Sequence, residues 1–231
     1  MNVLIIPYGE TNAYHKLLSE SLKIQGVKVK KGINTTFFPI LRQTLSEKID
    51  IIHIEWTDIF FIRKNIIYSR LRAYAFIFEL LIIKKILKKK IAWRVHNRYN
   101  HEQLHLDLDL HVSRFLAYFS DLIEVECPNA KEEIIDLFSI ENPSKIKIIP
   151  MGNYIGAYQN SISKKEAKEK IGIKDDNFAY LYFGKIRPYK GVFNLISAFK
   201  NFSRHEQDRL ILAGRPKDAQ LQSLIEDKIK N

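Results

Sequence analysis

One stretch of this chain gathers positive charge where the backbone is bare: Tyr182-Phe183-Gly184-Lys185-Ile186-Arg187-Pro188-Tyr189-Lys190-Gly191. A hydrophobic run ends in glycine, Arg187 and Lys190 follow, and an apolar-periodic segment opens at Val192. Gly184 removes the side chain where a ligand must approach the backbone. Arg187 offers a planar fork that matches phosphate oxygens, and Lys190 adds a point charge. A helix beginning near Val192 adds unpaired N–H groups and the positive end of its dipole. Together these describe a cradle for a diphosphate. The same residues also suit a solvated loop in which Gly184 and Gly191 only make a turn.

The elements that must position this stretch alternate along the whole chain. Short β-branched runs at 2–7, 27–31, 50–55, 91–96, 122–127 and 145–149 are separated by longer helical patterns, the signature of βαβ units and a parallel sheet. The expected fold class is therefore α/β, with one Rossmann-like domain over residues 1–150. After the first strand, Leu17, Leu18, Leu22 and their neighbours have helical spacing, with Gly26 as the stop. After the fifth strand a helix is expected over 130–138, with Glu132 and Glu133 in its first turn at the positive end of the dipole. Residues 151–163 lose periodicity and collect Gly, Asn and Ser, which marks a linker. From 164 to 231 a new cycle begins: helix 164–171 closed by Gly172, strand 178–183, helix 192–202, strand 209–213 and helix 219–229. A two-stranded parallel pair cannot bury both its faces, so this part is expected to be the incomplete start of a second Rossmann-like domain.

Composition narrows the function classes. Of 231 residues, 46% are hydrophobic and 27% charged, the balance of a globular protein with a substantial core. The one cysteine, Cys127, has no partner for an intramolecular disulfide, and the chain opens directly into Val3-Leu4-Ile5-Ile6, so a cytoplasmic location is expected. The longest apolar run, from Ala73 to Ile83, is broken by Glu79 and falls short of the roughly 20 residues that span a bilayer. The net charge of +11 calls for an anionic partner. Nine basic residues lie between Arg63 and Lys90 against one acid, Glu79. That makes 66–90 either a helix resting on an anionic membrane surface or a buried sheet-covering helix with solvated lysines at its end. No RNP, helix-turn-helix or finger pattern accompanies the charge, which argues against specific nucleic-acid binding. The first βα loop lacks G-x-G-x-x-G and the chain lacks H-E-x-x-H, so neither a dinucleotide cofactor nor a metal is expected.

Taken in order, these pieces resemble the GT-B glycosyltransferases of family 4. The resemblance is carried by FGKIRPYKGVFNLISAF at 183–199, together with Asp50-Ile51-Ile52-His53, Trp93-Arg94-Val95-His96-Asn97, Ile149-Pro150-Met151-Gly152-Asn153-Tyr154 and Leu212-Ala213-Gly214. It implies a retaining enzyme that moves a sugar from a nucleoside diphosphate donor to an acceptor hydroxyl, on a glycan or a lipid-linked acceptor, in surface polysaccharide or glycolipid synthesis. Where the 66–90 helix rests on a membrane, the cytoplasmic protein is expected to be peripheral on the inner face of the plasma membrane. Gly184, Arg187 and Lys190 would hold the donor diphosphate. His96 would be the catalytic-site histidine that contacts the donor sugar, since an imidazole there can accept or donate a hydrogen bond to a sugar hydroxyl, although a histidine tied to the backbone at a loop start also explains it. Gly9 would bring the first loop's backbone close to donor and acceptor, although a simple turn also explains it. Asn97, His101 and Glu102 are candidates for the acceptor side of the cleft; Glu102 equally suits a helix N-terminus. His53 ends a parallel strand and reads as packed.

Two departures from the family pattern matter. Met151 stands where the family commonly has histidine. The family's E-x7-E element is also missing: its spacing recurs at Glu47/Glu55, Glu124/Glu132 and Glu133/Glu141, all ahead of the linker, and only 41 residues follow Lys190. The expectation is a chain truncated within its second domain and inactive alone. The alternative is a nucleotide-sugar-binding module that needs the missing half or a partner chain.

Overall fold

The computed structural model describes residues 1–34, 37–174, 177–202 and 207–230. The chain divides into two compact units, Met1–Tyr158 and Gln159–Asn231.

In the first unit, six strands form one parallel sheet in the order β2-β1-β3-β4-β5-β6. They are β1 (Asn2–Ile6), β2 (Lys28–Lys31), β3 (Ile51–Ile54), β4 (Lys90–Arg94), β5 (Leu122–Val125) and β6 (Ile146–Ile148). Their register sorts the side chains into two faces with different chemistry. Ile52 lies beside Leu4 and Ile91, and Ile54 beside Ile6 and Trp93. With Ile123 and Val125 these residues form the main core. Helices cover it: α2 (Pro39–Ser46), α3 (Asp58–Phe61), α4 (Ile66–Leu81), α5 (Leu106–Phe119) and α6 (Pro128–Phe138). Phe61, Phe76, Leu80, Leu116 and Phe138 are among the side chains they bury against it.

On the opposite face, α1 (Ala13–Ile24) lays Leu18 and Leu22 over Val3, Ile5 and Val27. Asn12 starts this helix by accepting the N–H of Tyr14 at 3.1 Å. Farther across the same face the register sets His53 beside Ala92 and Arg94 beside Glu124. The sheet is therefore apolar throughout on one side and charged across β3, β4 and β5 on the other.

The expected strands stand within one or two residues of their observed ends, whereas three helical details differ. The helix expected over 66–90 is shorter: α4 runs into a π-turn at Ile82–Ile86, Lys88 adopts left-handed φ, and β4 begins at Lys90. Lys84 and Lys90 both pair with Asp121, so part of the basic run is neutralised at the start of the strand. Helix α6 begins at Pro128, earlier than expected, which moves Glu132 and Glu133 out of the first turn; Glu133 pairs instead with Arg98. Glu102 lies in a turn before α5, whose first-turn acids are Asp107 and Asp109.

The second unit contains α7 (Lys164–Lys170), β7 (Ala179–Phe183), α8 (Val192–Phe202), β8 (Arg209–Ala213) and α9 (Ala219–Lys230). Ser163 and Glu166 form a capping box at the start of α7. β7 and β8 pair in parallel. Ile186, Val192, Ile196, Leu221 and Ile225 form the core on one side of the pair. On the other side Leu181 and Phe183 are 63% and 85% exposed.

The lone acid of the basic run has a structural use. Helix α2 starts at Phe38 without a side-chain cap. The buried Glu79 supplies one from α4, its Oε2 accepting the N–H groups of Ile40 and Leu41 at 3.1 Å each. Burial raises the Glu79 carboxyl from about 4.5 to about 7, outweighing those two hydrogen bonds. The folded chain thus holds this proton more tightly than the unfolded chain, and stability falls as pH rises between those two values, on the order of 3 kcal/mol over the whole interval. Urea unfolding at about pH 5 and about pH 8 checks this: Glu79→Gln is expected to flatten the loss of stability seen in the parent over that interval.

Candidate functional site

Ligands of parallel α/β sheets gather beyond the C-terminal ends of the strands, and there the first unit concentrates its titratable side chains. Glu55 follows β3 and is fully buried. Its Oε2 lies 2.5 Å from Nε2 of His96, which follows β4, and its Oε1 accepts the hydroxyl of Tyr14 from α1 at 3.2 Å. His53 Nδ1 is 3.7 Å from Glu55 and its Nε2 3.6 Å from Glu124, close enough for attraction but outside hydrogen-bond range. Arg94 donates to Glu124 at 3.2 Å and to the carbonyl of Ile149 at 3.0 Å, with Glu126 3.8 Å away. Tyr14 lies over its guanidinium.

The charges balance locally. Burial pushes the Glu55 and Glu124 carboxyls up, but His96 and His53 around Glu55, and His53 and Arg94 around Glu124, hold both below the usual carboxylate range. Burial opposes protonation of His53, yet Glu124 and Glu55 raise it above the ordinary histidine value. Burial and Glu55 push the Tyr14 phenol up, so it stays a hydrogen-bond donor. These groups answer one another rather than converge on a shared centre: among the described residues, no three His, Cys, Asp or Glu side chains are arranged to hold a metal ion.

Aromatic rings fix the histidines. Trp56 stacks flat on His96, centroids 4.3 Å apart and planes 8° apart, while Tyr14 meets the same ring edge-on. His15 stacks on Tyr8 and meets Trp56 edge-on. Its Nδ1 accepts the backbone N–H of Gly9 at 2.9 Å, and burial lowers its pKa. Gly9 is thus held by a side chain of the following helix, where an added Cβ would meet Asn12 Cβ at 3.2 Å. A cavity of about 20 Å³ adjoins this cluster between Trp56, Asp58, Arg94, His96, Asn100 and Asp109, room for a water-sized group. Asn97 and His101 are exposed and 3.4 Å apart, and Glu102 lies beside them in the turn. Gly9 and His96 thus join one cluster, and Asn97, His101 and Glu102 form an exposed rim beyond it.

Sequence reasoning missed Glu55, Tyr14, Trp56 and Arg94 as parts of this cluster. The available signal was alternation: His53 and Glu55, Arg94 and His96, and Glu124 and Glu126 each lie two residues apart at strand ends, which puts each pair on one face.

In the second unit, Gly184 follows β7 with φ of 135°, a conformation open to glycine. An added Cβ on Gly214, after β8, would sit 1.8 Å from the Gly184 carbonyl oxygen, so the two strand ends meet backbone to backbone. Ile186 N–H donates to Arg215 O at 3.0 Å, extending that contact. Pro188–Lys190 form one 3-10 turn, Gly191 takes left-handed φ, and α8 follows. Arg187 is half-buried, one guanidinium N–H donating to the carbonyl of Ile186, and Lys190 is exposed. Gly184, Arg187 and Lys190 therefore share one short strand-to-helix segment.

Comparison with known proteins places this architecture. The family model described as "Glycosyl transferases group 1" matches residues 163–231. No curated protein matches the chain. Among solved structures, Anabaena Alr3699/HepE in complex with UDP and glucose has a TM-score of 0.67 at 16% identity, over 100% of this chain and 66% of its own. S. aureus MnaA with UDP gives 0.62 at 11% identity, over 99% and 65%. The UDP-GlcNAc 2-epimerase of Methanocaldococcus jannaschii gives 0.55 at 13%, over 100% and 71%. The chain spans about two thirds of the length of the first two. Residues 163–231 carry the sequence pattern of glycosyl transferases group 1, and the chain has the parallel α/β fold of the GT-B glycosyltransferases.

Proposed function

We propose that this chain belongs to a glycosyltransferase that moves a sugar from a nucleoside diphosphate donor to an acceptor hydroxyl on a glycan or lipid-linked acceptor. The observation that carries this reading is the glycine-ended strand β7 followed by Arg187 and Lys190 at the start of α8, inside the segment that matches glycosyl transferases group 1. In the proposed reaction the departing nucleoside diphosphate gains negative charge as the glycosidic bond breaks. Arg187 and Lys190 meet that charge, and the helix N-terminus adds to them. Retention of anomeric configuration and a place in surface polysaccharide or glycolipid synthesis follow from the resemblance to family 4. His96 is assigned to the donor sugar, Gly9 to the backbone near both substrates, and Asn97, His101 and Glu102 to the acceptor. The fold alone also fits epimerisation of a nucleotide sugar, as two structural neighbours are UDP-GlcNAc 2-epimerases; the family match favours transfer.

Thermal shift with pyrophosphate, UDP, GDP and ADP tests the cradle on the chain itself. Arg187→Ala and Lys190→Ala are each expected to weaken the response about tenfold or more, the scale of one charge-assisted hydrogen bond. A parent that responds and variants that respond equally would remove the cradle.

A second observation favours an anionic membrane surface as partner of the first unit. Ile67, Leu71, Tyr74 and Phe78 recur along α4 at helical spacing and are 55% to 75% exposed. Arg70 is exposed beside them, with Lys64 before the helix and Lys85 and Lys88 beyond it. Between α4 and α5 a groove of about 450 Å³ is lined by Ile66, Tyr74 and Leu108 together with Arg70 and Asp107. An apolar stripe edged by cations fits the boundary between acyl chains and anionic headgroups. Among the described residues no helix is long and apolar enough to cross a membrane, so the proposed attachment is peripheral, on the cytoplasmic side. Sedimentation with phosphatidylglycerol-containing vesicles at low salt is expected to carry the chain down, and Leu71→Ser with Phe78→Ser to weaken binding roughly tenfold or more. An absence of sedimentation at low salt would discard this partner.

A further inference from the structure

We propose that Glu55 is a positioning residue for His96: its carboxylate takes the hydrogen on Nε2 and leaves Nδ1 as the ring nitrogen that accepts a hydrogen bond from a ligand hydroxyl.

Each part of this rests on a contact. The Glu55 carboxylate is out of water, with one oxygen on His96 Nε2 at 2.5 Å and the other on the Tyr14 hydroxyl at 3.2 Å. An ionised carboxylate only accepts hydrogen bonds, so the imidazole nitrogen facing it carries hydrogen. Tyr14 is a donor to the second oxygen, which fixes which oxygen faces the ring. Trp56 lies flat on one side of the imidazole and Tyr14 meets it edge-on, so the ring is held in orientation as well as in tautomer. His96 Nδ1 lies 4.0 Å from Glu126, beyond hydrogen-bond range, and Glu126 is the more exposed acid of the cluster. The remaining charged groups leave this arrangement in place. His53 lies 3.7 Å from the Glu55 oxygen that accepts Tyr14, Arg94 is committed to Glu124 and Ile149, and the neighbouring histidine His15 holds Gly9. His53 and His96 hold Glu55 ionised against the effect of burial. A histidine oriented by a buried acid in this way keeps one defined ring nitrogen without a hydrogen, as a carboxylate behind a metal-ligating histidine does.

The tautomer does not depend on the proposed function; only the identification of the hydroxyl as a sugar's rests on that reading. Two-bond 1H–15N spectra of the chain labelled with 15N-histidine, recorded at alkaline pH, test both separately. The His96 signals are identified by their loss in His96→Gln. In the parent, Nε2 is expected to show the shift of a protonated nitrogen and Nδ1 that of a bare one. In Glu55→Gln the amide can turn either its oxygen or its NH2 to the ring, so the single Nε2–H tautomer is expected to give way to a mixture with Nδ1–H. Tyr14→Phe removes the other bond to Glu55 and leaves the parent's pattern. A parent ring protonated on Nδ1 overturns the proposal, whether or not the variant folds. Addition of UDP-glucose is expected to move the Nδ1 signal where UDP alone does not. If the tautomers behave as stated and neither ligand moves Nδ1, the ligand hydroxyl is lost from His96 while its positioning by Glu55 stands.

Discussion

A carboxylate cut off from water must be answered within hydrogen-bond distance, and at the C-terminal edge of the first sheet that carboxylate is Glu55. Hydrogen bonds come from β4 and from α1, as His96 and Tyr14, and His53 of β3 adds attraction from 3.7 Å. They converge because the strands are parallel, adjacent and in register, so residues two apart at each strand end form a row across neighbours roughly 5 Å apart. A slip of β4 by one residue would turn Arg94 into the apolar core and leave Glu124 buried with its fixed cation gone. The network thus ties the register of three strands to the meeting of charge.

The two faces of that sheet divide the work. Leu4, Ile6, Ile52, Ile54, Ile91 and Trp93 lie under five helices, and removal of that surface from water is the main source of stability for the unit. The charged face contributes little net stability, because desolvation of Glu55, Glu124 and Arg94 costs several kcal/mol per ion in the absence of partners and the pairing roughly repays it. What it supplies is definition. Each of these side chains is held by two or more neighbours, and Trp56 and Tyr14 fix the planes of the rings between them. Helix α4 shows a similar division on a smaller scale: Glu79 faces inward to cap α2, while the stripe from Ile67 to Phe78 faces out.

Much of the fold was legible in the sequence because each strand is a short apolar run bounded by a change of period. β7, β8 and α8 stand at or within a residue of where the pattern puts them. The start of α6 moved because Pro128 is itself the first helical residue, its missing N–H costing nothing there. The end of α4 moved because a π-turn closes it before the lysines that extend its basic pattern. Two site segments, with Gly9 and His96 in one cluster and Gly184, Arg187 and Lys190 on one turn, follow from strand ends that the sequence marks. Glu55 was not legible as a site residue. Its alternation with His53 marks only the face it lies on, and its partners Tyr14 and His96 are each 41 positions away in the chain. Only the pairing of β1, β3 and β4 brings them together.

The two units handle charge in opposite ways. At the end of the first sheet the acids and cations neutralise one another out of water, and what is left to offer a ligand is a rigid imidazole edge and a pinned backbone loop. A directional hydrogen bond from a fixed group discriminates orientation, which a screened charge does not. At the end of the β7–β8 pair the backbone ends of Gly184 and Gly214 are pressed together, and Lys185, Lys190 and Arg215 remain exposed around them. A cluster of like charges left in solvent costs little to form, since water and salt screen it. It becomes strongly attractive when an anion with several oxygens displaces that solvent and takes hydrogen bonds from side chains and helix N–H groups together.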